Sequence, residues 1–297
     1  MRRLRLVLPV LLLASAGRAA AHAGGALDHH APPGWTLDPW IVAPLALAAF
    51  LFARGWWRLH ARSGLGSAGL RGRARLFAAG WVILAGALVS PLHEAGERSF
   101  AAHMFEHELL MLVAAPLLVL AEPLAVMLWA FGPAGRRALA AAVPVVAAPW
   151  RWLTGAVAAT VLQAAALWLW HAPALFDRAL ASEDWHVAQH LSFLVTALLF
   201  WTAMLRRRAP AGIAALCLVA TAIVSGALGA LMAFATSPWY AGYARLGLAP
   251  FGFTPAEDQQ LAGLLMWVPG GLVHAGAALV LMRRLLADPR SGAPHVL

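Results

Sequence analysis

The stretch Phe100–Met111, FAAHMFEHELLM, decides how the rest of the chain is read. Two histidines four apart, His103 and His107, fall on one face of a helix, with Met104 and Met111 inside the same arc of about 100°. A metal-capable stripe thus stands at the mouth of a long apolar run. A second pair, His186 and His190 in DWHVAQH, has the same spacing and also opens an apolar run. The two pairs form one site only if both runs cross a membrane in the same direction.

Composition favours that setting. Of 297 residues, 62% are hydrophobic and 12% charged, with a mean hydropathy of +0.72. A soluble domain carries roughly 25% charged residues, so lipid is the solvent for most of this chain. All 22 basic residues are arginine. The net charge of +9 does not indicate nucleic acid, because the arginines sit in short clusters between apolar runs, where membrane topology explains them. The single cysteine, Cys217, lies inside an apolar run, which excludes an internal disulfide and a cysteine-based metal cage and reads as packing.

The expected fold is all-α: a polytopic membrane protein with seven transmembrane helices after a cleaved signal peptide. Residues 1–21 have a basic start, a short apolar core and small residues at Ala19 and Ala21, the pattern of a secretory signal. Residues 22–36 form an outer tail carrying Asp28, His22, His29 and His30 among glycines and prolines. Apolar runs at 38–58, 74–92, 100–122, 151–171, 186–205, 211–235 and 259–282 supply the seven helices of a domain spanning 37–286, and 287–297 is the remaining tail. With the N-terminus outside, fifteen arginines between Arg54 and Arg290 fall in inner segments, against Arg98, Arg178 and Arg245 in outer ones. That asymmetry agrees with the signal peptide and puts the C-terminus in the cytoplasm. The stretch from Pro123 to Pro149, interrupted by Pro133 and Pro144, is expected to be an inner loop with a short interfacial helix. The connection Ser237–Asp258, rich in proline, glycine and aromatics, is expected to cap the outer face.

With this topology the third and fifth spans both start outside, so His103, His107, His186 and His190 share nearly one depth at about 1.5 Å of rise per residue. The second and fourth spans end outside at His93 and His171. Six histidines then gather at the outer ends of four helices. Neutral imidazole suits copper, zinc and iron alike, and the thioethers of Met104 and Met111 tilt the choice toward copper(I). Against this stands the plainer reading that an interfacial histidine is a polar anchor and a helical methionine is core. Glu108 is placed to orient a histidine or relay a proton, whereas Glu106 lies on the other flank and is expected to face headgroups. On the last span, Gln259 and Gln260 are expected to bond to the outer cluster, His274 to make an interhelical hydrogen bond, and Gly263 and Gly270 to permit close helix contact.

The runs FAAHMFEHELLMLVAAPLLVLAEP, WHAPALFDRALASEDWHVAQHLSFLVTALLFW and PAEDQQLAGLLMWVPGG, in this order across roughly residues 35–286, resemble the polytopic CtaG-type cytochrome c oxidase assembly factors of bacteria. The HMxxH pattern of that family falls on His103, Met104 and His107. Its downstream histidine motif falls on His190, with His186 one turn earlier, and its DQQ and MW motif on Asp258, Gln259, Gln260, Met266 and Trp267. Glu106 and Glu108 depart from the amide or apolar residues usual on that helix. The resemblance implies a multi-pass inner-membrane protein of the respiratory chain, needed to mature haem-copper oxidase at the copper step and not itself an enzyme.

The metal ligands expected are therefore His103, His107, His186, His190, Met104, Met111, His171 and His93. The expected cofactor is copper, with haem as the alternative. The expected partners are a cytochrome c oxidase subunit, a periplasmic copper donor and membrane lipid, with no nucleic acid. Two other functions compete: a haem-binding redox protein using axial histidines, and a copper transporter. The transporter is disfavoured because only His274 and Cys217 offer ligands in the inner half.

Overall fold

A computed structural model describes residues 32–62, 67–206 and 209–287. The expected signal segment 1–21, the residues Asp28, His22, His29 and His30, the arginines Arg207, Arg208 and Arg290, and the tail beyond Ala287 lie outside the described residues. Within them the chain is helical and no strand occurs.

In chain order the helices are α1 (Pro39–His60), α2 (Ser67–Val89), α3 (Pro91–Gly96), α4 (Phe100–Glu108), a π-helical segment (Leu109–Ala114), α5 (Ala115–Ala121), α6 (Pro123–Met127), α7 (Pro133–Leu153), α8 (Ala156–Trp170), α9 (Pro173–Ala181), α10 (Glu183–Leu205), α11 (Ala211–Ala233), α12 (Ala241–Leu246) and α13 (Pro255–Leu286). Proline at the first helical position and an oxygen-bearing cap start several of them, because the first N–H groups have no partner within the helix. Asp38 accepts from the Trp40 N–H at 2.8 Å to start α1. Thr254 and Glu257 form a reciprocal capping box at α13.

Six helical segments are singly long and apolar enough to cross a membrane: α1, α2, the rod from α4 through α5, α10, α11 and α13. Helices α7 and α8 qualify only as a pair, with a bend of 72° between them, which makes the number of spans six or seven. Large apolar side chains such as Phe50, Val157, Leu216, Ile223 and Leu272 are exposed on the outward faces of these helices. Exposed apolar surface on this scale is a solvent mismatch in water and a match in hydrocarbon, so this is a multi-pass membrane protein.

Two sequence expectations fail around residue 150. The segment after Pro123 is more helical than a loop with one short helix: after the five-residue α6, α7 runs for 21 residues and takes up Trp150–Leu153, so the span expected from 151 begins at Ala156. Each proline removes one bond from the helical ladder, and the alanine-rich sequence around Pro144 and Pro149 keeps the rest. Among the residues of α7 none is buried, and Arg136, Arg137 and Arg151 share it with Trp150 and Trp152, a composition suited to a membrane surface.

Tight packing of α11 on α13 closes the bundle. A Cβ placed on Gly229 would lie 2.8 Å from the Gly263 carbonyl oxygen, and one on Gly263 would lie 2.6 Å from the Ala233 nitrogen. Only residues without a side chain let the two backbones approach so closely. The expected role of Gly263 is thus observed. At the end of the rod from α4 to α5, Glu122 adopts the left-handed conformation (φ 50°), stops the helix, and pairs with Arg73 at 3.0 Å and with Arg206. Arg54 and Arg58 donate to the Ala130 carbonyl oxygen nearby. The arginines thus anchor the end of the bundle opposite His103.

Candidate metal centre

The N-terminus of α4 carries the site, and it is fixed from the far end of the sequence. Asp258, on the first turn of α13, accepts the Ser99 hydroxyl at 2.8 Å and the backbone N–H groups of Phe100 and Ala101 at 2.6 and 3.3 Å. A buried carboxylate at a helix N-terminus satisfies orphan donors and complements the helix dipole. The connection expected as a cap does fold over this end. Tyr243 donates to the Gly96 carbonyl oxygen at 2.6 Å, Tyr240 to that of His171 at 3.1 Å, and both rings pack on Phe100 and Phe176.

Under this cap His103 and His107 project from α4 and His186 and His190 from α10. The rings of His103 and His107 are 4.3 Å apart between centroids, and those of His107 and His190 4.8 Å. One ring nitrogen from each of His103, His107 and His190 lies within 4.8 Å of the others. Nitrogens bound tetrahedrally to one ion at about 2.0–2.1 Å stand ~3.4 Å apart, so the three rings need to draw in by about an ångström. Both nitrogens of His107 and Nε2 of His190 are buried without a hydrogen bond, and those of His103 have none of ordinary geometry, only the Gln189 amide alongside. Buried polar atoms are nearly always satisfied, so a concentration of free lone pairs is a recognisable place for an ion.

Glu106 overturns the expectation that it faces headgroups. It is fully buried, its Oε1 lies 2.8 Å from His93 Nδ1, and its Oε2 lies 3.9 Å from His190 Nε2. His93, Glu106 and His190 form a second triad whose ligand atoms are also within 4.8 Å of one another. His190 belongs to both. Burial alone would lower the pKa of His93, but the Glu106 hydrogen bond and charge outweigh it, and the net displacement is upward. The second span ends at Val89, so His93 reaches the cluster from its own short helix, α3, and stacks on His186 at 5.3 Å.

The remaining expected ligands are distributed differently. His171, the C-cap of α8, donates from Nδ1 to the Leu167 carbonyl at 2.7 Å and points Nε2 at Met104 Sδ, 3.3 Å away, with its ring between Phe176 and Phe193. Met111 lines a separate cavity with Glu108 and His274. The π-helical segment explains the change: wider turns carry Met111 back around the axis relative to a regular helix through His107. Pro116 is its cause. It has no N–H for the Leu112 carbonyl, and Ala115 N–H pairs five residues back with Leu110 instead. The Met111 carbonyl, which would face the missing N–H of Pro116 in a π-turn, is taken by Trp201 Nε1 at 2.8 Å.

Three further expectations are corrected. Gln259 bonds to Trp239 N–H and the Ser237 carbonyl, and Gln260 to the Ala235 carbonyl, so both tie down the loop after α11, away from the histidines. His274 donates to Gly270 of its own helix and makes no interhelical hydrogen bond among the described residues. Its ring instead stacks on Trp201 at 5.7 Å. Glu108 faces the deeper cavity and orients no histidine of the outer cluster. Sequence reasoning missed the anchoring role of Asp258, whose signals were its place in the DQQ motif and three residues after a helix-starting proline.

The family model of the cytochrome c oxidase caa3 assembly factors matches residues 50–288, a span that includes every helix of the bundle except the first turns of α1. The chain belongs to this family. No curated protein and no solved structure matches the chain. For this assembly factor the family supports a part in the assembly of cytochrome c oxidase.

Proposed function

We propose that this assembly factor holds a copper ion through His103, His107 and His190 at the periplasmic end of seven spans and passes it to an oxidase subunit. The observation that carries the reading is the buried group of three imidazoles from two helices with ring nitrogens left free. Neutral imidazoles bind copper without the geometric lock of a four-ligand structural site, and three ligands leave a position open to an incoming donor or acceptor. His93 and Glu106 offer a neighbouring position that shares His190, so an ion can shift between sites by exchanging two ligands while keeping one. The factor works by transfer and not by turnover.

The orientation supports delivery. The arginine asymmetry supports an orientation with the histidine end outside the cytoplasm, open to a soluble copper donor and to the oxidase. A bare ion is favoured over haem because the rings touch one another, with centroids 4.3–5.9 Å apart among His103, His107, His186 and His190. Haem held between histidines of facing spans needs those rings on opposite faces of a flat slot.

The test is the double variant His103→Ala, His107→Ala. It is expected to accumulate in the membrane while the copper content of the oxidase falls; normal oxidase copper in cells whose only copy is this variant would contradict the reading.

A further inference from the structure

A second cavity lies deeper in the bundle, on the next turns of the same rod. Its wall is largely apolar, with Leu112, Leu167 and Val224 in it, and its polar and sulfur atoms come from Glu108 and Met111 of the rod, Gln163 of α8, Thr221 and Ser225 of α11, and Met266 and His274 of α13. About 20 Å³ is open to the centre of a water-sized sphere, enough for one small guest.

The lining offers lone pairs and almost no hydrogens. His274 Nδ1 faces the Gly270 carbonyl oxygen at 2.7 Å, and since a carbonyl only accepts, the proton of the neutral ring sits on Nδ1 and Nε2 carries a lone pair. That Nε2 has no partner, and the residue is 2% exposed. The Thr221 hydroxyl donates to the Cys217 carbonyl at 2.8 Å and the Ser225 hydroxyl to the Thr221 carbonyl at 2.7 Å, so both protons are committed to their own helix. Glu108 Oε2 and Gln163 Oε1 are buried without partners. The carboxylate approaches α13 at Gly270, where an added Cβ would stand 3.6 Å from Oε2. Met111 and Met266 complete the wall, both buried. Of these side chains only the Gln163 amide and a protonated Glu108 have uncommitted polar hydrogens, and a bound cation takes the place of the Glu108 proton.

We infer that this cavity is a second metal site, separate from the histidine cluster, that takes one soft monovalent cation between Glu108, Met111, Met266 and His274. Acceptors gathered in a mostly apolar wall are stable around a cation that they ligate, a single carboxylate balances one positive charge, and two thioethers with one imidazole select a soft ion such as copper(I) over zinc or magnesium. The site stands on its own lining and does not require that the histidine cluster bind metal.

Copper(I), delivered without oxygen to the full-length protein in detergent from a competing chelator, is the probe. The triple variant His103→Ala, His107→Ala, His190→Ala is expected to retain one copper per chain with sulfur neighbours in X-ray absorption. Adding Met111→Leu and Met266→Leu, which conserve volume, should remove that sulfur signal and weaken the retained binding at least tenfold. Should the triple variant not fold, the same two leucine substitutions in the otherwise native chain are expected to lower the bound copper by one equivalent and to remove the sulfur neighbours. Loss of all copper in a folded triple variant, or copper binding unaltered by the leucines, would overturn the inference. Copper absent from the histidine cluster but present here would instead contradict the proposed function alone.

Discussion

At the scale of single residues, His190 is the ligand shared by two triads, and Glu106 turns one of them from an all-imidazole set into one with a carboxylate. Replacing His190 by Ala is therefore expected to weaken copper(I) binding at least tenfold in a chelator competition, and more than His186→Ala, which removes a neighbour in neither triad. A weaker effect at His190 than at His186 would show the wrong ring at the centre. Asp258 acts by a different route, holding one hydroxyl and two N–H groups at the start of α4. Asp258→Ala is expected to cost about 2 kcal/mol of stability, read as a lower midpoint of thermal unfolding, with Asp258→Asn less harmful because one acceptor oxygen remains. The histidine pairs were legible in the sequence because spacing of four on a helix is geometry. Glu106 was not, since its burial depends on α3, whose separate course past Val89 nothing in an apolar pattern announces.

At the scale of elements, the bundle depends on backbone contact between α11 and α13. Gly263→Val would drive side-chain atoms into the Gly229 carbonyl and the Ala233 nitrogen, and the protein is expected not to accumulate in membranes. Gly271→Ala, where an added Cβ meets nothing within 4 Å, is the control and should leave the level unchanged. Spans with uninterrupted apolar runs, such as α11, could be read from the sequence to within a few residues. The rod carrying the site was read as one regular helix, and Met111 was misplaced because the π-helical segment before Pro116 depends on which carbonyl loses its partner. The region from Pro123 to Trp152 was misread for a related reason: prolines that end a helix in isolation are tolerated in α7, so counting them shortened it.

At the scale of the whole molecule, one rod carries both candidate sites, His103 and His107 near its capped start and Glu108 and Met111 just beyond. Anchoring that start by α13 and the opposite end by Glu122 and its arginines gives the ligands a fixed frame. The orientation is testable apart from any metal: single cysteines placed at Arg62 and Arg136 in a Cys217→Ala background are expected to resist a membrane-impermeant thiol reagent in intact cells, while one at Arg178 reacts. Labelling in the reverse sense would put the histidine cluster on the cytoplasmic side and remove the periplasmic donor. The central claim concerns the three imidazoles themselves, and X-ray absorption of the purified, copper(I)-loaded protein tests it most directly. Comparing the native chain with the His103→Ala, His107→Ala, His190→Ala variant, the expected result is a set of three imidazole nitrogen neighbours at one copper in the first and, in the second, no more than the single imidazole that His274 supplies. Imidazole scattering that persists unchanged in the variant would contradict it.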